Sequence, residues 1–333
     1  MSMIIPRKAY IKFKTYKFWA FLFSITYAYI LAYLPIDKFD DRGNYLSYLS
    51  SAAELIQTYS EKGILGVLSN EPLWLFVNIA LGALFEPENA LRVLIFVSSF
   101  VFALSIFFSG KKDLSFLFFA IFICLTPQVV KNFILHLRQG VGISVAMLIY
   151  AVFPASKRAF PMLITPFIHS SFFFVIHNFL IEWWAKKTKR VNENITFVIA
   201  LLISCFIVVL FLFFLSGIDA RQVSQYDGTH SEPRSGIGFI VWLIIFMIFI
   251  FDNGTSRASN IFSILSIVNY LILYFIFDPV ARIFESTLPF VFLAGFNLTK
   301  KPKQIIIFVF CALFLYQWLS PILAGGSVFK LAE

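Results

Sequence analysis

The chain has 333 residues, of which 59% are hydrophobic and 14% charged, with 44 phenylalanines. No single soluble core absorbs that much apolar surface, so the composition points to a polytopic helical membrane protein. The net charge of +9 does not imply nucleic acid, because the basic residues sit in short clusters beside apolar runs, the pattern that orients a membrane chain.

Apolar runs near the about 20 residues needed to cross a bilayer recur from end to end, and the weak alternation of a barrel does not. The expected fold class is therefore all-α. It is a single membrane bundle over 1–333 with about ten or eleven segments, some short or broken, and two external loops.

The leader carries Arg7, Lys8, Lys12, Lys14 and Lys17 without an acid, and Phe18 to Leu34 is apolar. No small-x-small cleavage pattern ends it, so it reads as an uncleaved first span with a cytoplasmic N-terminus. Residues 36–70 form a polar stretch expected outside. Within it Tyr45, Tyr48, Leu49, Ala52, Leu55, Ile56 and Tyr59 recur at helical spacing, with Ser47, Ser50, Glu54 and Gln57 on the other face. That pattern predicts an amphipathic helix on the membrane surface.

Pro72 to Phe85 is apolar but short, and Leu91 to Ser109 is a full span ending at Lys111 and Lys112. Leu114 to Val130 and Phe133 to Phe153 predict a hairpin. Phe160 to Trp184 is interrupted by Pro161, Pro166 and His169-Ser-Ser171, which predicts two half-helices meeting around a polar point. Ile195 to Leu215 leads to a second external loop, 217–236, and four further apolar segments follow. All basic clusters become cytoplasmic if Pro72 to Phe85 and the broken segment do not cross as single spans.

Arg138 stands at the mouth of an otherwise apolar helix, where an arginine is tolerated if water, an anion or a carboxylate meets it. Gln139 adjoins it, and Gly140 with Ser144 and Gly142 with Ala146 are small-xxx-small pairs that allow close packing. A guanidinium held against neighbouring helices suits bidentate phosphate binding, although a helix-end arginine also snorkels to headgroups. His169, at the break of the predicted half-helices, is placed to donate to a pyrophosphate or relay a proton. His177, two turns on, reads as structural. Asp41 reads as a solvated loop acid and Glu71 as an acid at a helix N-terminus, or, in a sugar-transfer reaction, as the carboxylates that accept the proton of an attacking hydroxyl. In the second loop, Arg221 and Arg234 belong to a mixture of donors and acceptors suited to glycans and phosphates. Arg282, three residues from Glu285, either pairs with it or holds phosphate.

Nucleotide-binding, serine-hydrolase and metalloprotease motifs are absent. Cys124, Cys205 and Cys311 lie in apolar segments without metal-ligand spacing, so no metal or other cofactor is expected.

Several of these features in order resemble the EpsG-like group of Wzy-type polysaccharide polymerases. They are Asp41-Arg-Gly-Asn-Tyr45 with Tyr48, Glu71-Pro72, His136-Leu-Arg-Gln139, and Ile168-His-Ser-Ser171. The resemblance covers about residues 35 to 180. It implies an inner-membrane enzyme that joins oligosaccharide repeat units carried on undecaprenyl pyrophosphate, at the periplasmic face. Carried over, Arg138 neutralises the leaving pyrophosphate, His169 assists, and Asp41 or Glu71 positions or deprotonates the acceptor. Tyr45, Gln139 and Ser170, lying in the matching motifs, are substrate-binding candidates. By analogy with loop arginines in such polymerases, Arg221 and Arg234 hold glycan or lipid pyrophosphate, and Arg282 stays a substrate-binding candidate. The implied partners are the lipid-linked oligosaccharide, membrane lipid and a chain-length regulator. A membrane glycosyltransferase adding a single sugar and a flippase for lipid-linked units are the competing expectations.

Overall fold

The computed structural model describes residues 13–188, 193–217, 236–252, 257–277 and 279–329. Among these residues the chain is all-helical, without strands. The helices gather into two compact units, Met1–Phe153 with Pro321–Glu333, and Pro154–Ser320.

In the first unit the helices are α1 (Phe13–Ala32), α2 (Asp40–Glu61), α3 (Ile64–Ser69), α4 (Pro72–Leu84), α5 (Pro87–Phe108), α6 (Leu114–Leu125), α7 (Pro127–Ile134) and α8 (Leu137–Val152). Proline opens α4, α5 and α7, where its missing N–H costs nothing and its fixed φ favours the first turn. Asp113 caps α6 by accepting from the Phe116 N–H at 2.8 Å.

The long contact of this unit is α1 against α5, and α8 also packs on α5. The Tyr16 hydroxyl, near the start of α1, donates to the Phe107 carbonyl at the end of α5 at 2.8 Å. Arg92, near the start of α5, donates to the Ala32 carbonyl at the end of α1 at 3.1 Å. The two helices are therefore antiparallel. Lys14 and Lys17 share one end of the unit with Lys111 and Lys112, and the α1–α2 junction lies at the other.

The spacing in 36–70 becomes α2, with Ser47, Ser50, Glu54 and Gln57 exposed and Tyr45, Leu49 and Ala52 buried. Its apolar face packs on α4. Gly82 makes this possible, because a Cβ there would sit 2.7 Å from the Leu49 carbonyl oxygen.

The predicted helix from Leu114 to Val130 is divided. Pro127 cannot donate the ladder hydrogen bond, and α6 and α7 meet at an angle of 52°. The partner predicted from Phe133 starts later, at Leu137, after a break at Leu135 and His136.

In the second unit α9 (Ala159–Met162) and a 3-10 turn (Thr165–Phe167) precede α10 (Phe172–Lys187). Pro161 and Pro166 do interrupt the segment, but the expected pair of half-helices is one helical turn followed by a single sixteen-residue helix. Then come α11 (Glu193–Gly217), α12 (Ile237–Ile250), α13 (Arg257–Leu273), α14 (Val280–Glu285), α15 (Leu288–Phe296) and α16 (Lys300–Leu323), whose residues from Pro321 onward belong to the first unit.

Helix α13 is central, packing against α10, α11 and α12. A buried polar ladder ties it in. The Ser204 hydroxyl donates to Asn269 Oδ1 at 2.9 Å, Asn269 Nδ2 to Asn178 Oδ1 at 3.2 Å, and Asn178 Nδ2 to the Ser266 hydroxyl at 3.0 Å. Such side chains hold helices together where the surroundings offer no water.

Among the described residues α5 and α16 are each long and apolar enough to cross a membrane, and the bent pair α6–α7 is a third such unit. At about 1.5 Å per residue, α5 is roughly 33 Å long, close to the roughly 30 Å of a hydrocarbon core. The remaining apolar helices, α4, α8 and α12 with stretches of α11 and α13, are shorter than a span. Among the described residues two or three units are thus full spans by length, beside five shorter apolar helices or stretches.

Candidate functional site

Arg42 is the anchor of the site. Its side chain is fully buried, and its guanidinium donates to four carbonyls: Leu34 at 2.9 Å, and Leu31, Pro35 and Ile134 at 3.3 Å each. These carbonyls close the C-terminal ends of α1 and α7, where helix carbonyls lack intrahelical partners. The cation also lies over the Phe39 ring, 4.7 Å from its centroid. Burial, and next the neighbouring charge of Arg92, lower its pKa to about 10. One side chain thereby pins α2 to the ends of α1 and α7.

From α7 the chain turns through Leu135 and His136 into α8. Gly140 sets how closely α8 returns, since a Cβ there would lie 2.3 Å from the Asn132 carbonyl oxygen. The turn brings His136 and Arg138 to the first turn of α2 and the start of α4.

An ion pair and a histidine–carboxylate contact result. Arg138 Nη1 donates to Glu71 Oε2 at 2.8 Å, and His136 Nδ1 stands 3.5 Å from Asp41 Oδ2. The Glu71 side chain is 5% accessible and that of Arg138 28%, while Asp41 is the open carboxylate at 41%. Arg138 occupies the first turn of α8, the positive end of the helix dipole, where a cation is disfavoured and an anion welcome. Glu71 offsets that cost.

Glu71 reaches Arg138 through an uncommon backbone. Its φ of 57° and ψ of 55° are left-handed, and it is the only such non-glycine residue among those described. For a residue with a Cβ this conformation costs roughly 1–2 kcal/mol. Strain of this kind persists where the surroundings over-determine it.

Aromatic side chains wall the pair. The Arg138 guanidinium lies over the Tyr48 ring, 5.6 Å from its centroid. Trp74 meets Tyr45 and Tyr48 edge-on at 5.7 and 6.1 Å, and its indole N–H has no hydrogen-bond partner among the described residues. Burial pushes the Tyr45 phenol up to about 12, with the Arg138 cation opposing the shift and the Asp41 carboxylate adding to it.

Asp41, Tyr45, Glu71, Arg138 and Gln139 therefore fall together in the first unit. Tyr45 and Gln139 are buried, so they serve as wall and support more than as open binding groups. His169 and Ser170, both half-buried, belong to the second unit, in the turn before α10. Ser171 beside them bonds Ser286 at 2.8 Å. Arg282 is exposed on α14 of the same unit. Arg221 and Arg234 lie outside the described residues.

Four further participants emerge from the fold: Arg42, Tyr48, Trp74 and His136. Asp41, Tyr45 and Tyr48 follow i, i+4, i+7 spacing, a signal present in the sequence for one helical face. Arg42 carries no such signal, because its acceptors are backbone carbonyls. Among the described residues no group of three or more His, Cys, Asp or Glu side chains is placed to hold a metal ion.

No family model, curated protein or solved structure matches this chain.

Proposed function

We propose that this protein is an integral membrane glycosyltransferase that polymerises oligosaccharide repeat units carried on a polyprenyl pyrophosphate. The observation that carries the proposal is the Arg138–Glu71 pair at 2.8 Å, at the first turn of α8, beside the Asp41–His136 pair. A leaving pyrophosphate needs concentrated positive charge in a partly dry site. Glu71 holds the guanidinium through Nη1, and 28% of the arginine side chain stays accessible to an anion.

In this mechanism a hydroxyl oxygen of the incoming lipid-linked unit attacks the anomeric carbon of the growing glycan. The bond from that carbon to the pyrophosphate oxygen breaks, and its electron pair leaves with the pyrophosphate, which Arg138 and the α8 N-terminus stabilise. The hydroxyl proton passes to Asp41, with His136 sharing it. Glu71 is committed to Arg138, so Asp41 is the base of the two carboxylates. The mechanism uses first-unit residues alone.

The same unit supports a periplasmic site. Lys14, Lys17, Lys111 and Lys112 gather at the end opposite the site, and by the positive-inside rule that end is cytoplasmic and the site periplasmic. α5, α16 and the bent α6–α7 pair support membrane insertion by length and apolarity.

The test is purified protein in lipid nanodiscs supplied with a synthetic polyprenyl-pyrophosphate tetrasaccharide repeat. A ladder of products dependent on Arg138 is expected. A single added sugar, or no product with an intact fold, defeats the proposal.

A further inference from the structure

The wall of α10 that faces α11 carries a feature the glycosyl-transfer reading does not use. A cavity of about 480 Å³ runs between the two helices, within the range of about 300–1,000 Å³ usual for small-ligand sites. Its lining is apolar, formed by Phe173, Leu180 and Trp184 of α10 and Ile203 and Ile207 of α11, with one exception. That exception is His177.

His177 is 9% exposed, and among the described residues neither ring nitrogen has a well-aligned hydrogen-bond partner, a loose contact with the Phe174 backbone one turn earlier being what it has. A neutral imidazole presents one N–H donor and one acceptor nitrogen. An imidazole buried with only that loose contact is under-satisfied, and buried polar groups in proteins are almost always satisfied. The cavity wall is where a well-aligned partner would come from.

The shape of the cavity limits what fits. From Phe173 to Trp184 its α10 wall is eleven residues long, or roughly 16 Å. Phe173, His177, Leu180 and Trp184 follow i, i+4, i+7, i+11 spacing, so they form one strip along the helix. Phe173 is 46% and Ile207 39% exposed, which leaves the cavity open along its length as a groove. A compact polar metabolite would find one partner and no others. A linear hydrocarbon chain would fill the strip and leave His177 unsatisfied.

We propose that the α10–α11 groove binds a long-chain lipid bearing one hydroxyl or carbonyl oxygen, with the chain along the strip and the oxygen hydrogen-bonded to His177. The imidazole serves as donor to a carbonyl, and as donor or acceptor to a hydroxyl. This site is independent of the glycosyl-transfer reading.

The test uses full-length protein in detergent micelles with two photoreactive probes, a diazirine-bearing hexadecanol and the matching hexadecane. Labelled residues are mapped by peptide mass spectrometry, with unmodified hexadecanol as competitor. Labelling is expected on α10 and α11 around His177, favouring the alcohol by about three- to tenfold, the worth of one hydrogen bond. His177→Leu should abolish that preference while keeping the fold, since it exchanges under-satisfied polar atoms for apolar ones of similar size. Ile207→Trp, which fills the groove, should remove labelling by both probes. Equal labelling by the two probes in the wild-type protein, labels outside α10 and α11, or a preference that survives His177→Leu overturns the proposal.

Discussion

Glu71 and Arg138 stand 67 residues apart in the chain, and their side chains meet at 2.8 Å. The contact joins the strained entry of α4 to the first turn of α8, and it fixes where a guanidinium can face an anion. A carboxylate 5% accessible tolerates its charge only while that partner is present.

Removing Arg138 alone should therefore be costly. Arg138→Met is expected to lower stability by about 3–5 kcal/mol, because it takes the guanidinium away from a buried carboxylate. Combining it with Glu71→Leu should restore much of that loss without restoring glycan synthesis. Denaturant unfolding in detergent, read beside product ladders, separates the two effects. Arg138→Lys should keep the ion pair but lose polymerisation, since an ammonium lacks the planar fork.

Gly140 and Gly43 make a matched pair. Adding a methyl at Gly140 drives it against the Asn132 carbonyl, so Gly140→Ala should cost about 1–3 kcal/mol and displace His136 and Arg138 together. Gly43, within α2, has nothing within 4 Å of the same position. Gly43→Ala should stabilise by about 0.4–1 kcal/mol. Paired thermal-unfolding curves check both signs.

Arg42 should be among the least replaceable side chains of the first unit. Arg42→Met takes the donor from four carbonyls, two of them in buried contacts, and is expected to cost about 3 kcal/mol or more. Arg42→Lys should recover only part of this, because three ammonium donors on one nitrogen cannot cover the spread reached by a guanidinium. Proteolysis at the α1–α2 junction gives the readout.

In the second unit the Ser204–Asn269–Asn178–Ser266 ladder should respond gently. Ser204→Ala is expected to cost about 0.6 kcal/mol, the usual worth of one such contact between apolar helices. A double-mutant cycle with Asn269→Ala measures it. A coupling near zero would mean that packing alone joins α11 to α13.

Alkaline titration isolates Tyr45. An unfolded phenol ionises near 10.0, and the folded one near 12, so between these values the folded state holds a proton the unfolded state has lost. Stability contributed by this group is complete below pH 10 and falls as pH rises through that window. Tyr45→Phe should remove that component. Arg42, whose folded pKa is lowered, acts in the opposite direction, so the difference between wild-type and Tyr45→Phe curves is the quantity to compare.

Helix content was legible because apolar runs and proline positions carry it locally. The face of α2 followed from Tyr45, Leu49 and Ala52, whose spacing fits one stripe and nothing else. The candidate site was legible in part, since a lone arginine in an apolar segment announces a need for a partner. Its partner was not, because Glu71 reaches Arg138 through a left-handed backbone that no periodicity encodes. Arg42 was hidden for a related reason: carbonyl acceptors leave no mark in the side-chain sequence. The break at Pro127 was written in the chain, but apolar residues on both sides concealed it from a count of span lengths.

The four carbonyls around Arg42 arrive at different times during synthesis. Leu31, Leu34 and Pro35 precede it on the ribosome, whereas Ile134 follows 92 residues later. At about 5–20 residues per second that is a delay of roughly 5 to 20 seconds. Through that interval the nascent first hairpin carries a cation without its final acceptor, so the junction of α1 and α2 has to remain near water until α7 emerges. Maturation of the site is then timed by elongation, and a chain arrested before Ile134 should keep that junction open to protease.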